Sequence, residues 1–270
     1  MELVIRRLED DAIRLFQWFK DYYLKSNIDK CHLMVCKVNS DVSIQIEGEI
    51  ISNSTEEKLL GITFDSTLSF DKHVSKLCKQ ANKKIHALAR VSKYMSQSKR
   101  KLIMNAFIKS QFGYCPLVWM FHSRGLNNRI NKIHERALRL VYNDSQSTFA
   151  DLLTKDNSVS IHDRNLQILA TEIYKLKLNE SPRIIESIFK EKNIGYETRK
   201  SNPFITNNVK TVKYGTETLS FRGPKTWSMV PEDIKKSKSL ADFKRKIKSW
   251  IPVGCECRLC KIYIPNLGFL

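Results

Sequence analysis

The chain has 270 residues, 42% of them hydrophobic and 10% aromatic, enough to bury one large or two modest cores, which excludes a chain disordered throughout. Its 46 Lys and Arg against 28 Asp and Glu give a formal charge of +18, an excess that favours a polyanionic partner. Seven cysteines without a secretory start argue against export, and the longest apolar stretch, 114–121, falls far short of the roughly 20 residues of a spanning helix; an intracellular protein, cytoplasmic or nuclear, with reduced thiols and no membrane partner is expected.

Residues Glu2 to Leu24 place Val4, Ile5, Leu8, Ala12, Leu15, Phe16 and Phe19 at three- and four-residue steps, which predicts an amphipathic helix. The period then changes. Cys31 to Lys37 is a short apolar run, Val42, Ile44 and Ile46 alternate, Glu47-Gly48-Glu49 turns, and Lys58 to Asp65 is apolar again, so three or four short strands are expected. From Phe70 the helical period returns, with Phe70, Val74, Leu77, Ala81, Ile85 and Leu88 on one face and Ser69 or Asp71 available as a cap. At about 100° per residue, Lys72, Lys76, Lys79, Lys83 and Arg90 fall on the opposite side. Further helices are predicted over Gln97 to Lys109, Gly125 to Tyr142 and Ile161 to Leu178, with a short one at Arg183 to Phe189 after Pro182. Residues 193–208 are polar and linker-like, Lys210 to Tyr214 with Thr218 to Phe221 reads as a hairpin, and a basic helix covers Leu240 to Trp250. The fold class is α+β, mostly helical with a small antiparallel sheet near the start.

The charge is concentrated in one place. Met1 to Asp71 holds 8 basic and 13 acidic residues, whereas Lys72 to His134 holds 14 basic residues and no Asp or Glu. A charge run is usually a solvated face, but the 63-residue acid-free span offers its cations no carboxylate of its own. Lys72, Lys76, Lys79, Lys83 and Arg90, with Lys93, Lys99, Arg100 and Lys101 after them, are therefore expected to track nucleic-acid phosphates. Tyr94, Phe107, Tyr114 and Trp119 offer stacking surfaces, although the apolar neighbours of Phe107 and Trp119 place those two in the core.

Two other groups invite a chemical reading and receive a plain one. Asp10-Asp11 is the adjacent pair of aspartates, but neighbours on a helix point about 100° apart and cannot converge on one metal. Cys255, Cys257 and Cys260 supply three thiols where a structural zinc needs four ligands; no histidine follows them and the nearest before is His162, so a fourth ligand has to come from a remote loop or another chain. Free tail thiols are expected, with no cofactor and no zinc.

Several local words carry a resemblance when taken in order. They are Leu15-Phe16-Gln17-Trp18-Phe19 and Asn27-Ile28-Asp29-Lys30-Cys31, then Leu59-Leu60-Gly61-Ile62-Thr63-Phe64-Asp65 and Leu68-Ser69-Phe70-Asp71-Lys72-His73. Ala106 to Trp119, Arg222-Gly223-Pro224-Lys225-Thr226-Trp227 and Cys257-Arg258-Leu259-Cys260-Lys261 with Asn266-Leu267-Gly268-Phe269 follow. Together they resemble the end of the palm, the thumb and the C-terminal region of reverse transcriptases encoded by jockey-like non-LTR retrotransposons, over nearly the whole chain.

The resemblance implies a palm remnant at 1–68, a basic thumb-like bundle at 69–178, a linker-like stretch with a short helix at 179–208, and a small basic region with the cysteine cluster at 209–270. It makes Lys30 a candidate beside the triphosphate and Leu60 and Gly61 the primer grip; the bland alternatives are a surface lysine and a glycine bend. RNA-directed DNA synthesis needs Mg²⁺-binding carboxylates, which the family places upstream of the words matched here. No catalytic residue is therefore expected, and the chain should bind template-primer duplex, with the missing upstream polymerase portion as a further partner, without polymerising alone. A stand-alone RNA- or DNA-binding protein and a degenerate fragment with no role are the rival readings.

Overall fold

The residues from Glu2 to Asp21 form helix α1, on which Phe16 is buried and Ile5 and Ala12 pack beside it. Val4, Leu8 and Leu15, expected on the same face, are exposed, so the buried strip is narrower than the periodicity suggested. The chain is described by a computed structural model over residues 2–36, 42–190, 204–211 and 215–260, and it divides into two compact units, Met1–His73 and Val74–Leu270.

In the first unit, strands β1 (Ser43–Ile46) and β2 (Glu49–Ser52) pair antiparallel, with Ile44 opposite Ile51. Alternation turns Ile44 and Ile46 inward, where Phe16, Leu33 and Val42 complete the core. Glu9 of α1 accepts from the Gln45 amide at 3.0 Å and Lys20 pairs with Glu47 at 2.5 Å, tying the helix to the hairpin. A second hairpin pairs β3 (Glu56–Leu59) with β4 (Ile62–Asp65). Both hairpins reverse through two residues of positive φ, Glu47-Gly48 and Leu60-Gly61, the pattern whose twist suits paired strands.

The expected single strand from Lys58 to Asp65 is thus two strands and a turn, and the expected small sheet is two separate two-stranded sheets. In the Cys31 to Lys37 run, Leu33 makes one isolated parallel bridge with Asn53; Lys37 lies outside the described residues. After β4 the chain turns on Asp65, whose carboxylate accepts from the amides of Thr67, Ser69 and Phe70 at 2.8–3.1 Å and from the hydroxyls of Thr67 and Ser69. Burial raises the Asp65 pKa, but these bonds outweigh it and hold the carboxyl below its ordinary value. They also fix Leu68 and Phe70 at positive φ just before helix α2 (Asp71–Val91).

In the second unit, α2 buries Val74, Cys78, Ala81, Ile85 and Leu88; Cys78, fully buried, holds the place expected for Leu77. Helix α3 (Gln97–Ile103) runs into a π-helical turn, Met104–Ile108, and a 3-10 turn, Lys109–Gly113. The wider winding buries Met104, Ile108 and Phe112 at four-residue steps and turns Phe107 outward, 57% exposed, against its expected place in the core. Trp119, in the short helix α4 (Pro116–Trp119), is fully buried as expected, its Nε1 donating to the Tyr114 carbonyl at 3.0 Å.

Helix α5 (Arg124–Tyr142) ends at Asn143 in the left-handed region, and α6 (Phe149–Asp156) starts from a capping box of Thr148 and Asp151. Helix α7 (Ile161–Lys177), capped by Ser160, is the core of the unit, and α8 (Arg183–Ile188) follows it. Thr218 to Phe221, expected as a strand, caps and opens helix α9 (Leu219–Met229); 212–214 of its expected partner lie outside the described residues. Gly223 of α9 lies so close to Phe189 that a Cβ there would meet the ring at 2.0 Å. Helices α10 (Glu232–Lys235) and α11 (Leu240–Ile247) complete the order, and Tyr174, Phe243 and Trp227 stack across α7, α11 and α9. Among the described residues no helix is long and apolar enough to cross a membrane.

Two predictions follow from groups buried in this fold. Replacing Asp65 by Ala strands three amides and should cost about 2 kcal/mol of the first unit's stability, read as a lower urea midpoint, with Asn recovering only part. His134 of α5 is buried, neither ring nitrogen has a hydrogen-bond partner among the described residues, and burial followed by the nearby Lys109 charge depresses its pKa to about 3. The unfolded ring binds its proton near pH 6.5, so the stability of the neutral buried form is complete above that pH and declines as pH falls towards 3. The unfolding free energy of the second unit, read from urea denaturation, should therefore drop between pH 6.5 and 4.5 by up to about 1.4 kcal/mol per pH unit for this ring, and His134→Leu should flatten the slope.

Candidate nucleic-acid interface

Helix α2 separates its side chains by chemistry. The buried stripe faces the core, and Lys76, Lys79, Lys83 and Arg90 are exposed on the other side. Lys93 and Lys99 beyond it are exposed too, and no ion-pair partner engages these six cations among the described residues. Like charges three and four residues apart oppose one another along a helix, and a row of phosphates relieves that repulsion. Lys83, His86, Ala89 and Arg90 line a shallow depression of about 650 Å³ on this helix.

Helix α5 widens the cationic band with two residues that the sequence pattern did not single out. Arg129 donates to Ser75 Oγ at 3.3 Å and Arg136 to Asn82 Oδ1 at 3.2 Å, both exposed. Ser75 and Asn82 border the lysine stripe, roughly 60–80° round the helix from its centre at 100° per residue. Their seven-residue spacing on both helices was legible, but not that the two helices run side by side. Exposed aromatics accompany the charge: Tyr94, over which Lys93 Nζ sits 4.8 Å from the ring centre, and also Phe107 and Tyr114. Such rings offer stacking faces to unpaired bases.

Three of the nine expected cations are engaged by the protein itself. Lys72 pairs with Glu56 at 2.5 Å, and that hydrogen bond raises its pKa. Arg100 donates to the carbonyls of Val141, Ser92 and Met95 at 3.0–3.4 Å, holding the end of α5 to the start of α3. Lys101 meets the buried carboxylate of Asp156 at 2.7 Å and its carbonyl at 2.9 Å, with the Tyr142 hydroxyl on the same carboxylate. The acid-free span lacks partners within itself, but α6 and β3 supply them from outside. Lys109 is also largely withdrawn from solvent, and burial, then the nearby Arg164, lowers its pKa.

The remaining candidates stand as follows. Lys30 is exposed at the end of a 3-10 turn, Ile28–Lys30, and Leu60 and Gly61 are the two residues of the β3–β4 turn rather than part of a strand. Asp10 and Asp11 are exposed on α1, Asp11 being 3.4 Å from Arg14. Cys255, Cys257 and Cys260 converge on His162 in the first turn of α7. Hydrogen bonds with Cys257 and Cys260 hold the Cys255 thiol down to about 3, those with Cys255 and Cys257 push Cys260 up, and His162, lowered by burial, is raised on balance by its hydrogen bond with Cys257.

A stretch of 143 residues is 24% identical to a Drosophila melanogaster protein described as a probable RNA-directed DNA polymerase from transposon BS. The match covers 50% of this chain and 16% of that relative, so the chain corresponds to a small part of a much longer protein. It establishes a distant relationship to a transposon reverse transcriptase. No family model and no solved structure matches.

The inward and outward cations should separate by mutation. Asp156→Ala leaves Lys101 and the Tyr142 hydroxyl without their shared partner and should cost about 3 kcal/mol in chemical denaturation, whereas Lys99→Ala should stay within about 0.5 kcal/mol.

Proposed function

We propose that the chain is the nucleic-acid-gripping part of a retrotransposon RNA-directed DNA polymerase, a palm end followed by a thumb, and that it holds template-primer duplex by its phosphates without supplying the polymerising centre. The observation that carries this reading is the row of exposed cations on α2, continued by Lys93 and Lys99, that have no ion-pair partner among the described residues. From Lys76 to Arg90 the helix rises about 21 Å, enough to pass roughly six phosphates of one strand. The relationship to a transposon polymerase supports the same partner class. Phosphate contacts of this kind fix position and carry no base sequence, so duplexes of unrelated sequence should bind alike.

The absence of polymerase chemistry in this chain is part of the proposal. It is supported by the ligand groups found among the described residues: the one cluster of three or more His, Cys, Asp or Glu atoms able to hold a metal contains three thiols and an imidazole. Mg²⁺ takes oxygen ligands, and polymerases use carboxylates to hold it. Lys30, proposed to have stood near the triphosphate in a complete enzyme, has no such cluster of carboxylates beside it among the described residues.

Fluorescence anisotropy with a short RNA–DNA duplex tests the reading directly. With six contacts, affinity should fall by about three orders of magnitude between 50 and 200 mM salt. Charge reversal of Lys76, Lys79 and Lys83 to Glu should weaken binding by about 100-fold or more and flatten the salt dependence, while the same reversal of Arg6, Arg7 and Arg14 on α1 should change it only slightly. Binding that survives the α2 reversals rejects the interface. Primer extension by the isolated chain with Mg²⁺ rejects the absence of a polymerising centre.

A further inference from the structure

Cys255, Cys257 and Cys260 meet a side chain from 93 residues earlier. His162 Nε2 lies 3.3 Å from Cys257 Sγ and 4.0 Å from Cys255 Sγ, and all four ligand atoms, with that of Cys260, fall within 4.8 Å of one another. A tetrahedral zinc with bonds of about 2.3 Å to sulfur and about 2.0 Å to nitrogen has edges of roughly 3.5–3.8 Å, which this group brackets. His162 and Cys257 are buried, Cys255 and Cys260 are half-buried, and none of the four is in a disulfide. The imidazole stands on the first turn of a helix fixed by the Ser160 cap, so the ligand that the linear sequence lacked is held in place before the cysteines arrive.

We propose that His162, Cys255, Cys257 and Cys260 form a structural Zn²⁺ site that fastens the C-terminal segment to α7. Three thiolates and one imidazole suit a borderline-soft divalent ion and leave no open position for substrate, the mark of a structural site. Binding releases the thiol protons to solvent and changes no oxidation state. A cavity of about 760 Å³, lined in part by Asn127, Asn131, Ser160, Cys255 and Cys260, opens a path for the ion. Around the site, the Arg258 amide donates to Glu217 at 3.4 Å, and its guanidinium to the His122 carbonyl at 3.0 Å. The buried Arg222 pairs with the same Glu217. The metal thus anchors a segment that is otherwise held by these polar contacts and by the burial of Cys257 and Leu259.

The full chain, purified under reducing conditions with zinc in the growth medium, should carry one zinc per chain by elemental analysis. Co²⁺ replacing it should give the intense visible bands of a tetrahedral thiolate site. Cys257→Ser should weaken Co²⁺ affinity by more than about 100-fold, whereas His162→Cys should retain the ion with bands shifted towards an all-thiolate set. A strong chelator should lower the melting temperature of the wild type and of His162→Cys and leave Cys257→Ser unmoved. Less than about 0.1 zinc per chain together with no Co²⁺ bands overturns the site. So does a disulfide among the three cysteines by intact mass under native conditions, or Co²⁺ binding that Cys257→Ser and His162→Ala leave unchanged. If His162→Ala does not fold, the spectrum of His162→Cys decides.

Discussion

Burial of α7 is the constraint on which the second unit depends. Ten of its 17 residues are buried, polar ones among them, and the polar groups of a helix enclosed in this way look to its neighbours for partners. Gln167 does so by donating to the carbonyls of Trp250 and Lys248 at 2.7 and 3.2 Å, at the end of α11. The Tyr174 hydroxyl donates to the Ser237 carbonyl, and its ring stacks on Phe243 at 4.1 Å, nearly parallel. The polar atoms of α7 thereby set the register of α11, and the apolar ones supply the surface it rests on. His162, at the head of the same helix, extends this logic to the last described residues.

Charge and packing occupy opposite sides of the same elements. In α2 the apolar residues Val74, Cys78, Ala81 and Ile85 are buried, and Lys76, Lys79 and Lys83 are left outside. Arg100, Lys101 and Arg222, which point inward, each meet a carboxylate or a carbonyl. Along the outer side of α2 and its extension, Lys76, Lys79, Lys83, Arg90, Lys93 and Lys99 have no ion-pair partner among the described residues. A protein that keeps so many like charges adjacent loses some helix stability for them, and the proposed interface gives that loss a use.

Legibility in the sequence followed the distance over which an element is determined. Helices α2, α5 and α7 were readable because their own apolar spacing defines them. Helix α9 was not, because Leu219 and Phe221 alternate like a strand and Pro224 stands inside the helix where proline usually ends one. Helix α6 announced itself only through Thr148 and Asp151, a capping pair that uses Asp where Glu is the usual signal. Phe107 was misplaced because a π-turn shifts the face of every residue in it, and nothing in a 3.6-residue period marks such a turn. The structural roles of Arg100 and Lys101 rest on partners 41 and 55 positions away, and the convergence of His162 with Cys257 spans 95. Composition located the cationic segment, but which of its members remain outside was decided by tertiary packing.

The enclosure of α7 also orders events in time. Its apolar face is covered by α9 and α11, so the surface that Tyr174 and Ile173 present has no cover until Phe243 and Ile247 have been made. At ordinary translation rates of 5–20 residues per second, about 70 residues separate the two, and the helix waits roughly 4 to 15 s with its greasy side open. During that interval the nascent chain is a client for whatever shields hydrophobic surface at the ribosome. A message that ends before α11 would leave that need permanent, so the codons for Leu240–Ile247 govern whether the preceding bundle stays in solution.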